Sequence, residues 1–341
     1  MKRKRIWFDI GHLAQYNFYK QAIVQLSRGY DVYVTLLDRG SLCRIVLQEI
    51  GNIENVVIST VGKHCKTKTG IYLRTNIVRI IELIIYAKRI KPSTVLSNGF
   101  QTAFVSWVLG FPGIEFGDDV RGIDSKLKGK FSSYSQYCIP DVCLPGIKTI
   151  QCPKEWAYLA PRYFTPNQDV VSKYGLKPFK YVFVREVDTR TTNYSGQKQN
   201  AVLRANVEVP SDFQVIISLE IRDQRNLYPD KWLTIDQSEK DIHSLLYYSA
   251  ATISSGDSMA REASALGVPS IYCGQRIMMA NATFIKASLM RHLSVEEVNG
   301  ELLKILTLPA ATEIRERTRL ALERQWIDPT VYIMDLISKL I

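Results

Sequence analysis

Ile253-Ser254-Ser255-Gly256-Asp257-Ser258-Met259-Ala260-Arg261-Glu262-Ala263-Ser264-Ala265-Leu266-Gly267-Val268-Pro269 reads as the end of a strand, a small-residue turn and a helix opening at Asp257 or Ser258. Gly267 stops the helix, and Pro269 leads into the next apolar strand, Ser270-Ile271-Tyr272-Cys273. Gly256 can take backbone conformations closed to other residues, so the turn can be tight and its amides can face a ligand. The first turn of a helix carries unpaired N–H groups and a partial positive charge, which suits a phosphate. Glu262, one turn beyond Ser258, can accept hydrogen bonds from vicinal sugar hydroxyls. The plainer reading makes Asp257 or Ser258 a helix cap and Glu262 a solvated carboxylate.

The same grammar runs outward in both directions. Residues 181–185, 214–219, 232–235 and 251–254 read as strands, with helices over 199–208 and 241–249. In the first half, strands are predicted at 5–10, 31–37, 56–61, 94–97 and 113–116, with 142–145 as the last of that half. Helices are predicted at 15–27, 41–49, 75–89 and 101–108 between them. Apolar strands alternating with helices indicate parallel sheets in an α/β fold. Residues 154–166 hold prolines and aromatics in no regular period and read as a linker. Helical segments are expected from Gly274 to the C-terminus. The chain thus divides into Rossmann-like domains at 1–160 and 161–326, with a C-terminal helix over 327–341 packing back on the first. The cleft between two such domains is the default active site.

Composition narrows the function. The 341 residues are 46% hydrophobic and 23% charged, which is ordinary for a globular protein of two domains. No apolar run of about 18 residues is present, so no membrane span is predicted. Met1-Lys2-Arg3-Lys4-Arg5 has a signal peptide's basic head, but Asp9 and His12 interrupt the apolar region that should follow, and a cytoplasmic location is expected. The six cysteines form no CxxC pair and the four histidines are scattered, so no metal site is predicted. A net charge of +11 favours an anionic substrate or an anionic membrane surface at the inner face. Basic clusters at 1–5, 63–68 and 126–130 can contribute, and without a compact nucleic-acid motif, nucleic acid ranks below both.

With the strand–turn–helix and the early aspartate in hand, the chain is identified as a member of domain of unknown function family 354. That family is similar to hydrolysing UDP-N-acetylglucosamine 2-epimerases and to glycosyltransferases of the GT-B fold. Ile6-Trp7-Phe8-Asp9-Ile10-Gly11-His12 resembles the family's opening, and Glu155-Trp156-Ala157-Tyr158-Leu159-Ala160-Pro161-Arg162-Tyr163-Phe164-Thr165-Pro166 its linker motif. Val184-Arg185-Glu186, the segment Asp241 to Ala250, and Met259-Ala260-Arg261-Glu262-Ala263 complete the likeness. The family has two glycines and a threonine before the methionine, where this chain has Ser255-Gly256-Asp257-Ser258. Asp257 therefore puts a negative charge where a pyrophosphate would approach. The resemblance implies a GT-B-like architecture, its two parallel sheets facing across a cleft, and a nucleotide-diphosphate sugar, with uridine as the base, as substrate rather than cofactor.

Ser255, Gly256, Ser258 and Met259 are then the expected diphosphate contacts and Glu262 the ribose contact. Arg185 ends the first strand of the second domain beside Glu186 and offers phosphate a bidentate fork, or an interdomain salt bridge. Arg222 can hold phosphate or the uracil loop, with Glu220 its nearest partner in sequence. Gln275 and Arg276 follow the next strand and can approach the donor; His243 is a weaker candidate. In the first domain, His12 is the expected base for an acceptor hydroxyl, oriented by Asp9 and preceded by Gly11. Asn98 can contact sugar or acceptor, and Asp118 can be an acid, a base or an orienting group. A transferase acting on a glycan or lipid-linked acceptor, in surface polysaccharide or glycoconjugate synthesis, is the first reading. A hydrolysing 2-epimerase or nucleotide-sugar hydrolase using Asp9, Glu115, Asp118 or Asp119 is the second, and a non-catalytic nucleotide-sugar-binding protein the third.

Overall fold

The computed structural model describes residues 3–65, 70–190, 194, 196–236 and 239–341, which leaves Lys66 and Lys68 of the second basic cluster outside the described residues. The chain forms two compact units, one of Met1–Tyr158 with Trp326–Ile341, the other of Leu159–Gln325.

The first unit carries β1 (Arg5–Ile10), β2 (Asp31–Asp38), β3 (Val56–Lys63), β4 (Thr94–Ser97), β5 (Gly113–Gly117), β6 (Tyr134–Cys138) and β7 (Lys148–Ile150). They form one sheet in the order β3-β2-β1-β4-β5-β6-β7, parallel throughout. Strands buried on both faces need apolar residues at nearly every position, which is why β1 reads as a continuous apolar run rather than an alternation. Trp7 packs on one side with Leu83, Tyr86, Val95 and Val105. Phe8 meets the edge of Tyr19 at 5.3 Å. The C-terminal helix Pro329–Leu340 belongs to this unit; Asp328 caps it by accepting from the amides of Thr330 and Val331, with Pro329 in the first turn.

Two expectations for this unit change. Residues 142–145 are not a strand but a turn closed by one bridge between Leu144 and Ile147, and the strand before it is β6. Asp141, at φ 62, redirects the chain there. The helix predicted at 75–89 begins earlier, as a π-helix over Ile71–Val78 that continues as α-helix over Arg79–Ile90.

The second unit carries β8 (Tyr181–Glu186), β9 (Gln214–Leu219), β10 (Leu233–Thr234), β11 (Ala251–Ser254), β12 (Ser270–Tyr272) and β13 (Met290–His292) in the order β10-β9-β8-β11-β12-β13, again all parallel. β13 replaces part of the expected helical run, because its three residues are too few to show a period. The helix predicted over 199–208 shrinks to Ala201–Arg204, bounded by left-handed Asn200 (φ 53) and Asn206 (φ 46). Both sheets reverse their strand order once, between β1 and β4 and between β8 and β11, and ligands bind open parallel sheets at such points. No helix among the described residues is long and apolar enough to cross a membrane.

Candidate functional site

At the second unit's reversal, β11 ends at Ser254 and the helix Asp257–Ala265 begins three residues later. Ser255 N–H donates to the Arg185 carbonyl at 3.0 Å, and Val187 N–H donates to Ser255 Oγ at 2.9 Å. The two strand-end loops are thereby stitched together. Ser255 is 2% exposed, so its hydroxyl, expected on the ligand, is spent inside the protein.

Gly256 has φ −108 and ψ 131, a conformation any residue adopts, which corrects the expectation of a glycine-only backbone. The glycine serves close approach instead: a Cβ there would lie 2.5 Å from Val187 Cγ1 and 3.3 Å from Tyr194 Oη. Gly274 is equally constrained, since its Cβ would meet the Ser255 carbonyl oxygen at 2.3 Å. The N-cap of the helix that starts at Asp257 is Gly256 itself, whose N–H donates to Ser254 Oγ at 3.1 Å, and Ser258 and Met259 in the first turn are half-buried.

Asp257 is 1% exposed, and its charge is answered from within the helix. Arg261, fully buried one turn on, donates to Asp257 Oδ2 at 2.7 Å and to Asn281 Oδ1 at 3.0 Å. Tyr194 Oη donates to Asp257 Oδ1 at 3.0 Å, and Arg276 Nη1 stands 4.0 Å from the same oxygen. Burial, and then the Asp257 charge, push the Tyr194 phenol well above its ordinary range, so it remains a donor. Two guanidinium groups thus flank one carboxylate at a helix N-terminus.

The other expected contacts divide. Arg185 donates through Nη1 to Ser218 Oγ at 2.7 Å and through Nη2 to Glu220 Oε1 at 2.5 Å. Glu220, assigned from sequence to Arg222, therefore belongs to Arg185, while Arg222 is exposed at the start of the 3₁₀ segment Arg222–Leu227. Glu186 does not accompany Arg185 outward. The side-chain alternation of β8 turns it inward, where Oε2 accepts from Val202 N–H at 2.9 Å and from Tyr228 Oη at 3.0 Å. Burial raises its carboxyl above the usual range. Gln275 exchanges bonds with the 197–198 loop, Oε1 accepting from Lys198 N–H and its own N–H donating to Gln197 Oε1, both at 2.9 Å. Glu262 lies 3.4 Å from His243 Nε2, its side chain 11% exposed. His243 is thus a neighbour of the ribose candidate. Arg261, Tyr194 and Gly274 were missed; the four-residue spacing of Asp257 and Arg261 was a readable signal for the first.

In the first unit, His12 begins the helix Leu13–Leu26, and the Gly11 N–H is taken by Gln15 Oε1 at 2.6 Å. Burial, then the charges of Lys154 and Arg39, lower the His12 imidazole to about 4 against the opposing effect of Asp118. Asp118 is in turn paired with Lys154 at 2.5 Å. Asp9 does not orient His12: it is 5% exposed and accepts from Thr35 Oγ1 and Arg79 Nη2, both at 2.6 Å. Glu115 is fully buried, accepts from Ser97 Oγ at 2.8 Å and Thr102 Oγ1 at 3.3 Å, and is pushed well above the carboxylate range by burial. Asn98 follows β4 at the reversal and donates to the Phe116 carbonyl at 3.2 Å. Asp119 is paired with Arg121 at 3.1 Å.

Two parallel α/β sheets, each reversing beside a strand-to-helix turn, define a protein of the GT-B fold. The chain belongs to the family described as "Protein of unknown function (DUF354)", whose model matches residues 154–331. An uncharacterized protein of Methanocaldococcus jannaschii is 20% identical, over 91% of this chain and 96% of that one. The UDP-N-acetylglucosamine 2-epimerase of Rickettsia bellii superimposes with a TM-score of 0.72 at 12% identity, over 99% of this chain and 96% of that one. MurG of Acinetobacter baumannii does so with a TM-score of 0.59 at 16% identity, over 98% and 99%. At these identities the likeness is one of fold.

Proposed function

We propose that the chain is a glycosyltransferase that takes a nucleotide-diphosphate sugar, a UDP-sugar, and passes the sugar to a glycan or lipid-linked acceptor without a metal ion. The observation that carries this reading is the neutralisation of Asp257 by Arg261 beside Arg276 at the start of a helix. A diphosphate gains backbone N–H donors and a positive field there. Glu262 serves the ribose hydroxyls one turn further on. As the acceptor oxygen bonds to the anomeric carbon, the bond from that carbon to the diphosphate oxygen breaks and its electron pair leaves with the diphosphate. The helix dipole and Arg276 answer that charge. His12, neutral at pH 7 because its imidazole is lowered to about 4, takes the acceptor proton.

A hydrolysing epimerase is the second reading, favoured by Glu115, a carboxyl pushed well above its ordinary range by burial. Removal and return of a C2 proton asks for several acids that can reach the sugar. Asp9 is locked to Arg79, and Glu115 has no exposed surface. The test is to incubate the pure chain with a panel of nucleotide sugars, with and without lipid-linked or glycan acceptors. Acceptor-dependent release of nucleoside diphosphate is expected; acceptor-independent conversion to a 2-epimer would overturn the transferase reading.

A further inference from the structure

The first unit presents an apolar face that its own core does not use. Helices Arg79–Ile90, Phe100–Leu109 and Gly122–Phe131 pack side by side, the last two through Phe131, whose ring lies 5.2 Å from both Phe104 and Trp107. Inward, the first helix buries Leu83, Ala87 and Ile90. Outward, Ile77, Ile81 and Ile85 recur every four residues along the π-helix and the helix that continues it, all exposed. Ile85 is 64% exposed and Trp107 60%, with Val108 exposed beside the latter. A helix facing only water does not repeat isoleucine on its outer stripe, and exposed tryptophan suits a boundary with one apolar and one wet side.

Charge selects the occupant. Lys88 and Arg89 end the first of these helices, and Lys126 and Lys130 line the third, all exposed. Lys130 lies 5.4 Å above the Phe131 ring, so cation and apolar surface are continuous. On the third helix, Asp124 is paired with Lys128 at 2.8 Å. A second copy docked about a two-fold axis would set this basic face against itself. An anionic bilayer offers the opposite charge to the lysines and an apolar interior to the isoleucines and Trp107.

We propose that this three-helix face docks the protein on anionic lipid, Trp107 and the isoleucine stripe entering the headgroup region while Lys88, Arg89, Lys126 and Lys130 meet the headgroups. The inference stands apart from the donor reading, because lipid binding requires no nucleotide. The full chain is sedimented with vesicles of phosphatidylcholine alone or containing phosphatidylglycerol, at low and physiological salt. Binding to the anionic vesicles, weakened by salt, is expected. Trp107→Ser with Ile85→Ser is expected to weaken it at least about tenfold, the scale of losing a buried large side chain. Lys126→Glu with Lys130→Glu is expected to cost several-fold more than charge loss at a distant surface. Sedimentation velocity and denaturant unfolding, both unchanged in the variants, show that they fold. No binding to anionic vesicles at low salt, full binding by the Trp107→Ser, Ile85→Ser variant, or a dimer that this variant dissociates would each overturn the proposal.

Discussion

The two strand reversals are built to one plan and finished differently. Each places a buried carboxylate near the C-terminal ends of the strands and answers it with a buried arginine: Asp9 with Arg79 in the first unit, Asp257 with Arg261 in the second, at 2.6 Å and 2.7 Å. In the first, the arginine comes from a helix 70 residues away, and Gln15 takes the amide that precedes the opening helix. In the second, the arginine lies on the carboxylate's own helix, and Ser254 Oγ takes the Gly256 amide that precedes it at 3.1 Å. The first arrangement consumes its polar groups in holding the fold. The second balances the acid within one helix, with Arg276 4.0 Å from the same carboxylate. Shared topology therefore does not make two equivalent strand reversals.

The largest expected effect breaks the two pairs in parallel. Arg79→Ala and Arg261→Ala should each cost about 3–5 kcal/mol in denaturant unfolding, since each strands a buried carboxylate. Only Arg261→Ala should also abolish UDP binding; equal loss in both variants would erase the distinction between the reversals. Next comes His12→Ala, expected to lower kcat about 10²–10⁴-fold with UDP affinity unchanged. Because folding lowers the imidazole from 6.5 to about 4, its neutral form favours the folded state above pH 6.5, and that contribution disappears as pH falls through about 4. The acid limb of kcat/KM should accordingly lie near pH 4, and a limb at 6.5 would remove His12 as the base. Gly256→Ala should destabilise by about 1–3 kcal/mol through overpacking on Val187, and Val187→Ala should restore part of it. Recovery through backbone rearrangement alone would contradict the close-approach account. The smallest effect is expected of Asp119→Asn, within about 0.5 kcal/mol of wild type and without change in rate.

The alternation of apolar strands and helices made both parallel sheets legible, and the strand–turn–helix around Gly256 stood out by its small residues. Short elements were less readable: three-residue β13 has no period, and Leu144 with its neighbours mimics a strand while turning. Pairing separated what sequence joined. Asp9 and His12 are three residues apart, yet Asp9 faces the core on an alternating strand and bonds an arginine that only the fold brings near. Glu220 likewise pairs across neighbouring strands with Arg185 rather than along its own segment with Arg222. The Asp257–Arg261 spacing was local and visible; what required the structure was the burial of both, which turns an ordinary helical pair into a buried, neutralised acid at a helix start.

That neutralisation is tested most directly by the UDP affinity of Asp257→Asn, measured by titration calorimetry beside wild type, with uridine as reference. If Arg261 already balances the acid, UDP should bind wild type at least about tenfold tighter than uridine, and the substitution should change UDP affinity by no more than about threefold. Tightening of UDP binding by tenfold or more in Asp257→Asn, with uridine unaffected, would mean that the carboxylate repels the diphosphate and that the second reversal is not the anion site proposed.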